Sequence, residues 1–366
     1  MPHTDPAPRA LRLELALDAG LELPRHGTIA VLMPRAGESL EPLPRARVQV
    51  VTPHFPDHAA FAAQGHACLR APEDLLANGA EPPAAVMICL PRARAEARDL
   101  IARGAALTTG ALIIDGQKTD GVDAILREMR RLCPVGEPIS KGHGKIFWLG
   151  SPGADALAGW RATPHRLSDA DGRAFETVAG LFSADGVDPG SALLAGALPA
   201  GLKGEVVDLG AGWGYLAARV LEGAAAVSAL HLVEADARAL DCARRNVTDA
   251  RAQFHWADAT VPLPGLHADT VVMNPPFHTG RTGQPGLGIA FIRTAAALLK
   301  PGGALWLVAN RHLPYEAALA ASFRSHEEVA GTPAFKVLRA EAPLRSTAAR
   351  PTPARRAIAH SRGGRA

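Results

Sequence analysis

The residues best suited to chemistry in this chain are Asn274-Pro275-Pro276-Phe277. They follow a short apolar run, Thr270-Val271-Val272-Met273, that reads as a buried strand. Two prolines end the strand and stiffen the turn, since Pro fixes φ and lacks an N–H. The residue before a Pro is pushed into extended backbone, which holds Asn274 at the carboxyl edge of a sheet, where open α/β folds bind ligands. Its amide oxygen, together with the Pro275 carbonyl, can accept both hydrogens of a planar exocyclic NH2. Phe277 offers a face for a flat ring, and His278 beside it reads as a neighbouring polar contact. Such a site suits an amine on an aromatic base, or an amide. Taken alone, the same four residues also describe an ordinary turn after a strand.

The elements upstream favour chemistry. Glu205-Val206-Val207-Asp208-Leu209 reads as a strand and runs into Gly210-Ala211-Gly212-Trp213-Gly214, then into a helical stretch from Tyr215. Glycines let backbone approach a ligand, and the helix start presents unpaired N–H groups. The next strand, Ala229-Leu230-His231-Leu232-Val233, ends in Glu234, an acid that can take both ribose hydroxyls. Up to here a nicotinamide-dependent dehydrogenase fits equally well. Asp208, two residues ahead of the first glycine, and a third glycine one residue early for the dinucleotide pattern point instead to an S-adenosylmethionine site. After a third strand, Gln253-Phe254-His255-Trp256, come Ala257-Asp258-Ala259. Asp258 can accept an adenine amino group there; in isolation it would read as a helix cap or a solvated turn. The expected cofactor set is Asp208, Gly210, Gly212, Gly214, Glu234, Asp258, Ala259 and Asn274, with Asn274, Pro275 and Phe277 at the chemistry and no metal.

These residues resemble a class I S-adenosylmethionine-dependent methyltransferase, and more closely the ribosomal RNA guanine-N2 methyltransferases of the RsmC type. The more specific matches are residues 181–191, ahead of the fold, and Val308-Ala309-Asn310-Arg311-His312-Leu313-Pro314-Tyr315. The resemblance implies S-adenosyl-L-methionine as cofactor and ribosomal RNA, or the small ribosomal subunit, as partner. It implies methyl transfer to the exocyclic N2 of a guanine, in 16S-type RNA. Adenine N6, a protein glutamine amide, and an RNA-binding module without activity stay open as alternatives.

The fold expected is α/β, with two tandem Rossmann-like class I methyltransferase domains, the first degenerate. In residues 10–155, strands at 28–33, 48–51, 85–90, 111–115 and 145–149 repeat the order of the second half. The first copy lacks the glycine loop, has Thr52-Pro53 in place of the ribose acid, and starts a helix at Pro91-Arg92 where the second has its Asn-Pro-Pro turn. The second copy, residues 175–340, is longer beside that turn. Its extra Gly-rich residues, 279–288, read as a lid. Arg92, Arg94, Arg98, Arg127, Arg130 and Arg131 alternate with acids and read as a solvated helix surface. Residues 341–366 carry six Arg against one acid, with Pro and Gly and no periodicity. They read as a disordered basic tail, either an RNA-contacting arm or a compositional feature.

Composition sets outer bounds. The 366 residues are 48% hydrophobic and 20% charged, with 39 basic against 36 acidic groups. No apolar run is long enough for a membrane helix, and the N-terminus does not read as a signal peptide. Cys68, Cys89, Cys133 and Cys242 show no metal-binding spacing and read as buried free thiols. The chain is thus expected to be cytoplasmic, with no membrane or metal partner; a monomer is favoured and the oligomeric state is left open.

Overall fold

A computed structural model describes residues 8–150, 154–276 and 285–344. Seven strands make the first sheet: β1 (Ile29–Leu32), β2 (Val48–Val51), β3 (Ala67–Leu69), β4 (Ala85–Cys89), β5 (Ala111–Gln117), β6 (Ile139–Lys141) and β7 (Gly144–Leu149). A hairpin of β8 (His165–Ser168) and β9 (Ala174–Thr177) follows. The second sheet holds β10 (Lys203–Leu209), β11 (Ala226–Glu234), β12 (Ala252–Trp256), β13 (Ala268–Met273), β14 (Leu299–Asn310), β15 (Phe323–Gly331) and β16 (Phe335–Pro343). The strand orders are β3-β2-β1-β4-β5-β7-β6 and β12-β11-β10-β13-β14-β16-β15, the same path run twice. In each sheet a single strand runs against the rest, β7 in the first and β16 in the second, each antiparallel to both of its neighbours. The tandem α/β expectation is met.

The central strands are buried on both faces, which is why they read as unbroken apolar runs. In the first half, helices Arg94–Leu107 and Val122–Met129 bury Leu100, Ile101 and Ile125 on one face. Helices Pro8–Asp18 and Phe55–Ala63 bury Leu13 and Phe61 on the other. In the second half, helices Pro189–Ala197, Tyr215–Gly223 and Ala237–Asn246 cover one face. Helices Pro285–Leu298 and Glu316–Ser322 cover the other.

Several boundaries differ from the sequence expectation. The helix after β4 begins at Arg94, not at Pro91-Arg92: Leu90 N–H still donates to the Asp115 carbonyl at 2.8 Å, and Ala93 is an extended cap. Residues 285–288 of the expected lid are the first turn of Pro285–Leu298, where Pro285 fits because an N-terminal helical N–H has no partner to lose. Residues 341–343 of the expected tail belong to β16, with Glu341 paired to both Ala304 and Ser325. Residues 345–366, and with them the six arginines, lie outside the described residues, as do 277–284. Of the four thiols, Cys89 and Cys242 are buried while Cys68 and Cys133 are half-buried. The arginine-rich helix surface is largely ion-paired: Arg94 and Arg98 to Glu128, Arg130 to Glu137.

The halves meet through matching turns. Phe55 N–H donates to the Ala235 carbonyl at 2.8 Å, and Ala237 N–H donates to the Pro53 carbonyl at 2.9 Å. His54 and Asp236 form an antiparallel bridge between them. The turn after β2 thus lies against its counterpart after β11. Trp256 Nε1–H is shared by the Pro53 and Ala235 carbonyls, both at 2.8 Å, while Phe55 packs edge-on to its ring. Arg238 of the second half pairs with the buried Glu96 of the first.

The first half is held to its leading helix by a buried charge cluster. Arg12 and Asp115 are both fully buried and form a bidentate pair at 2.6 and 2.9 Å. Arg9 Nε donates to the same carboxylate at 2.6 Å. Removing one partner of such a cluster strands an uncompensated charge. Asp115→Ala should therefore cost ~3–5 kcal/mol in chemical denaturation. A loss below about 1 kcal/mol, the range of an exposed ion pair, would refute the structural role given to the cluster.

Candidate active site

The carboxyl edge of the second sheet gathers the residues singled out by sequence. Strand β10 delivers Asp208, which is fully buried between β11 and β13. Among the described residues neither of its carboxylate oxygens has a partner of hydrogen-bonding geometry. Burial pushes its pKa up to about 7; the Ala217 amide in the first turn of the next helix pulls the other way, and Glu234 adds repulsion. The loop that follows turns on three left-handed glycines: Gly210 at φ 81°, Gly212 at 55° and Gly214 at 90°. Its start is pinned by Gly210 N–H to the Val233 carbonyl at 2.8 Å. A Cβ on Gly210 or Gly214 would press on Phe291 or Val247 at 3.0 Å, whereas on Gly212 it would project into open space.

Glu234 ends β11. Its carboxylate accepts from Gly212 N–H and Asp236 N–H, both at 2.8 Å. These bonds oppose the upward push that burial gives its pKa. Asp258 follows β12 and closes a turn, its Oδ1 accepting from Thr260 N–H at 2.8 Å and Thr260 Oγ at 2.6 Å. The solvated-turn reading thus describes one of its oxygens. Ala259 beside it is buried in the core.

Asn274 follows β13 as expected, with Pro275 buried and Pro276 exposed. One cavity brings it together with Gly210, Ala211, Gly212, Trp213, Ser191 and Phe182. Asp208, Glu234 and Asp258 do not line that cavity, so it joins the amine-accepting turn to the glycine loop rather than to all the acids. The Asn274 Nδ2 donates to Asp188 Oδ2 at 2.9 Å and to Ser191 Oγ at 2.7 Å. Its Oδ1 is buried and has no partner among the described residues. Phe277 and His278 lie outside the described residues.

The fold has counterparts among known proteins. The family model "Methyltransferase small domain" matches residues 172–339. A ribosomal RNA small subunit methyltransferase C of Shewanella loihica is 30% identical over 237 residues, 62% of this chain and 68% of that protein. The chain belongs to the ribosomal RNA small subunit methyltransferase C family. The namesake from Sodalis glossinidius is 32% identical over 63% of this chain and 65% of its own length. A ribosomal RNA large subunit methyltransferase G of Shewanella amazonensis is 36% identical over 44% of this chain. Alignment to these two spans 65% and 43% of their lengths. Among solved structures, the Thermus thermophilus 16S rRNA N2 G1207 methyltransferase RsmC, in complex with AdoMet and guanosine, superposes with a TM-score of 0.74. It is 26% identical and covers 89% of this chain and 90% of its own.

Both halves of this family member can be compared position by position. Val31 pairs with Met87 as Asp208 pairs with Val272, so Val31 stands where the buried acid stands and Cys89 where Asn274 stands. Met33 holds glycine's place and conformation: its φ is 61°, and its N–H donates to Val51 O at 2.8 Å, as Gly210 does to Val233 O. The first copy thus keeps the backbone of the loop start without the groups that could hold a cofactor. Its carboxyl edge opens on a cavity of about 330 Å³ between the halves, which Met33, Pro53 and Glu96 line together with Arg238 and Arg245 of the second copy. Two contributors escaped sequence reasoning: Asp188 and Ser191. Both lie within the 181–191 match, but nothing in their spacing to Asn274 announced contact. Phe182, 63% exposed at the cavity mouth, with its carbonyl held by Trp213 Nε1–H at 3.1 Å, is a third.

The raised Asp208 pKa carries a sign. The folded state holds its proton to a higher pH than the unfolded state. The resulting stability is fully present below about pH 4 and is lost as pH rises through about 7. Ligand-free wild type should therefore lose up to ~4 kcal/mol relative to Asp208→Asn between those limits. Paired urea melts across pH measure the difference. Parallel pH dependences for the two proteins would contradict the assignment.

Proposed function

We propose that this chain transfers a methyl group from S-adenosylmethionine to the exocyclic N2 amine of a guanine in ribosomal RNA of the small subunit. The observation that carries the reading is the Asn274 Oδ1: a buried acceptor without a partner among the described residues, on a residue that lines the cavity of the glycine loop. A buried acceptor left unpaired costs about 1–3 kcal/mol, which an arriving amine would relieve. The Thermus enzyme's N2 G1207 specificity and its complex with guanosine support guanine as the target.

The residues present fit the cofactor. Gly212 leaves room that a side chain would fill, and Asp208 is a buried carboxylate in want of a donor. Glu234 would take the ribose hydroxyls, Asp258 with Ala259 the adenine edge, and Asp208 the methionine end through the loop. When bound, the cofactor supplies an electrophilic methyl on a sulfonium. The chain's task is to hold the amine lone pair in line with it. Asn274 Oδ1 and the Pro275 carbonyl would accept the two N2 hydrogens, which favours a pyramidal nitrogen and stabilises the positive charge that develops. Phe277 would stack the base, worth ~1–3 kcal/mol. Because the amine must be reached edge-on, the guanine is unpaired or flipped out. Residues 175–340 would carry the chemistry and 10–155 a degenerate copy, acting as a monomer in the cytoplasm, where ribosomes are built.

Nucleoside mass spectrometry of ribosomal RNA incubated with the chain and labelled cofactor should show N2-methylguanosine. N6-methyladenosine, or no label, would overturn the proposal. Asn274→Ala should reduce transfer by at least ~100-fold and leave cofactor affinity within about twofold. Gly212→Ala should weaken cofactor binding ~10-fold or more in calorimetry while costing about 1 kcal/mol of stability, the strain of a side chain at positive φ. Unchanged cofactor affinity would remove the loop from the binding site.

A further inference from the structure

The helix Pro189–Ala197 touches the active turn through its cap. Asp188 Oδ2 accepts from Ser191 N–H at 2.7 Å, closing the cap, and from Asn274 Nδ2 at 2.9 Å. Ser191 Oγ accepts the second Nδ2 hydrogen at 2.7 Å. An ionised carboxylate can only accept, so it decides which end of the Asn274 amide faces the helix. Both N–H groups are consumed there, and Oδ1 is left buried with no partner among the described residues.

We infer that Asp188 and Ser191 are positioning residues that fix the polarity and direction of the Asn274 amide for the incoming amine. An asparagine χ2 is broad and roughly twofold, so an untethered amide would spend much of its time presenting donors to a donor. Two anchors remove that alternative before substrate arrives, and preorganisation of this kind is what an electrostatic site requires. The first half supplies a contrast. There the leading helix Pro8–Asp18 sends Arg9 and Arg12 to Asp115, and Cys89 occupies the Asn274 position. A helix docks in both copies, but only the second has an amide to orient. The inference rests on the proposed reading in one respect, that Asn274 accepts an amine.

Full-length variants test it. Ser191→Ala leaves the Asp188 cap in place and deletes one anchor. The expected outcome is a kcat for methyl transfer ~3–10-fold below wild type, with melting temperature and S-adenosylhomocysteine affinity unchanged. The Asn274 side-chain NH2, followed by NMR, should exchange ~3–10-fold faster with solvent. Asn274→Asp sets two carboxylates at hydrogen-bond distance, so they share one proton. Its residual activity should fall from about pH 6 to about pH 9 as that proton is lost. Adding Asp188→Asn, which keeps a capping oxygen, should flatten the profile and raise activity ~10-fold at the alkaline end. A cap with no positioning role would produce neither effect. Wild-type kcat and exchange in Ser191→Ala overturn the inference, as does an Asn274→Asp profile indifferent to Asp188→Asn. If both Asn274→Asp proteins are inactive, Ser191→Ala decides alone. If wild type methylates no amine, the proposed function fails, while the exchange measurement still tests the anchoring.

Discussion

Burying Asp208 with no hydrogen-bond partner is the constraint around which the second half is organised. A carboxylate in an apolar sheet, between β11 and β13, is held near neutrality by desolvation. The protein tolerates this cost because the surrounding strands are fully buried and the following loop is closed by backbone bonds to Val233. Asn274 Oδ1 is a second orphan at the same edge. Orphaned polar atoms are rare in folded proteins. Two residues carrying them, on neighbouring strands at one sheet edge, are polar groups that the described residues leave unsatisfied.

The duplicated half shows the same scaffold without those groups. Val31 replaces the acid and Cys89 the amide, and burial pushes the Cys89 thiol up to about 12, so it stays a neutral core group. The buried carboxylate there, Asp115, sits one strand over and is saturated by Arg9 and Arg12. One copy satisfies its buried charge with its own side chains; the other leaves it open. The two are joined so that the turn after β2 braces the turn carrying Glu234, through Phe55, Ala237 and Trp256. The degenerate copy therefore borders the turn that carries Glu234, and the cavity at Asn274 is lined by the second copy.

Much of this was legible beforehand. Strands β1, β2, β4, β5, β10, β11 and β13 announce themselves as apolar runs because both their faces are buried, and the order of acids after them follows directly. Of the four edge strands β12 was legible, as Gln253-Phe254-His255-Trp256, and the other three were not. β15 is mostly exposed, carries Arg324, Glu327 and Glu328, and owes its existence to pairing with β16, while β3 and β6 are three residues each. The tail boundary failed for the same reason: Glu341 lies in a strand because two neighbours hydrogen-bond it, and local composition carries no record of them.

The sequence by itself determined the duplicated α/β path, the identity of the acids and glycines at the carboxyl edge, and the Asn-Pro-Pro turn. Each depends on residue type and on neighbours a few positions away. Only the tertiary structure decided which end of the Asn274 amide is anchored, that Asp188 and Ser191 hold it from more than 80 residues upstream, and that Asp208 has no partner among the described residues. Those are properties of distances across the fold, set by how a helix ahead of the sheet packs onto it. Hydrogen bonding between groups far apart in the chain leaves no periodicity to read.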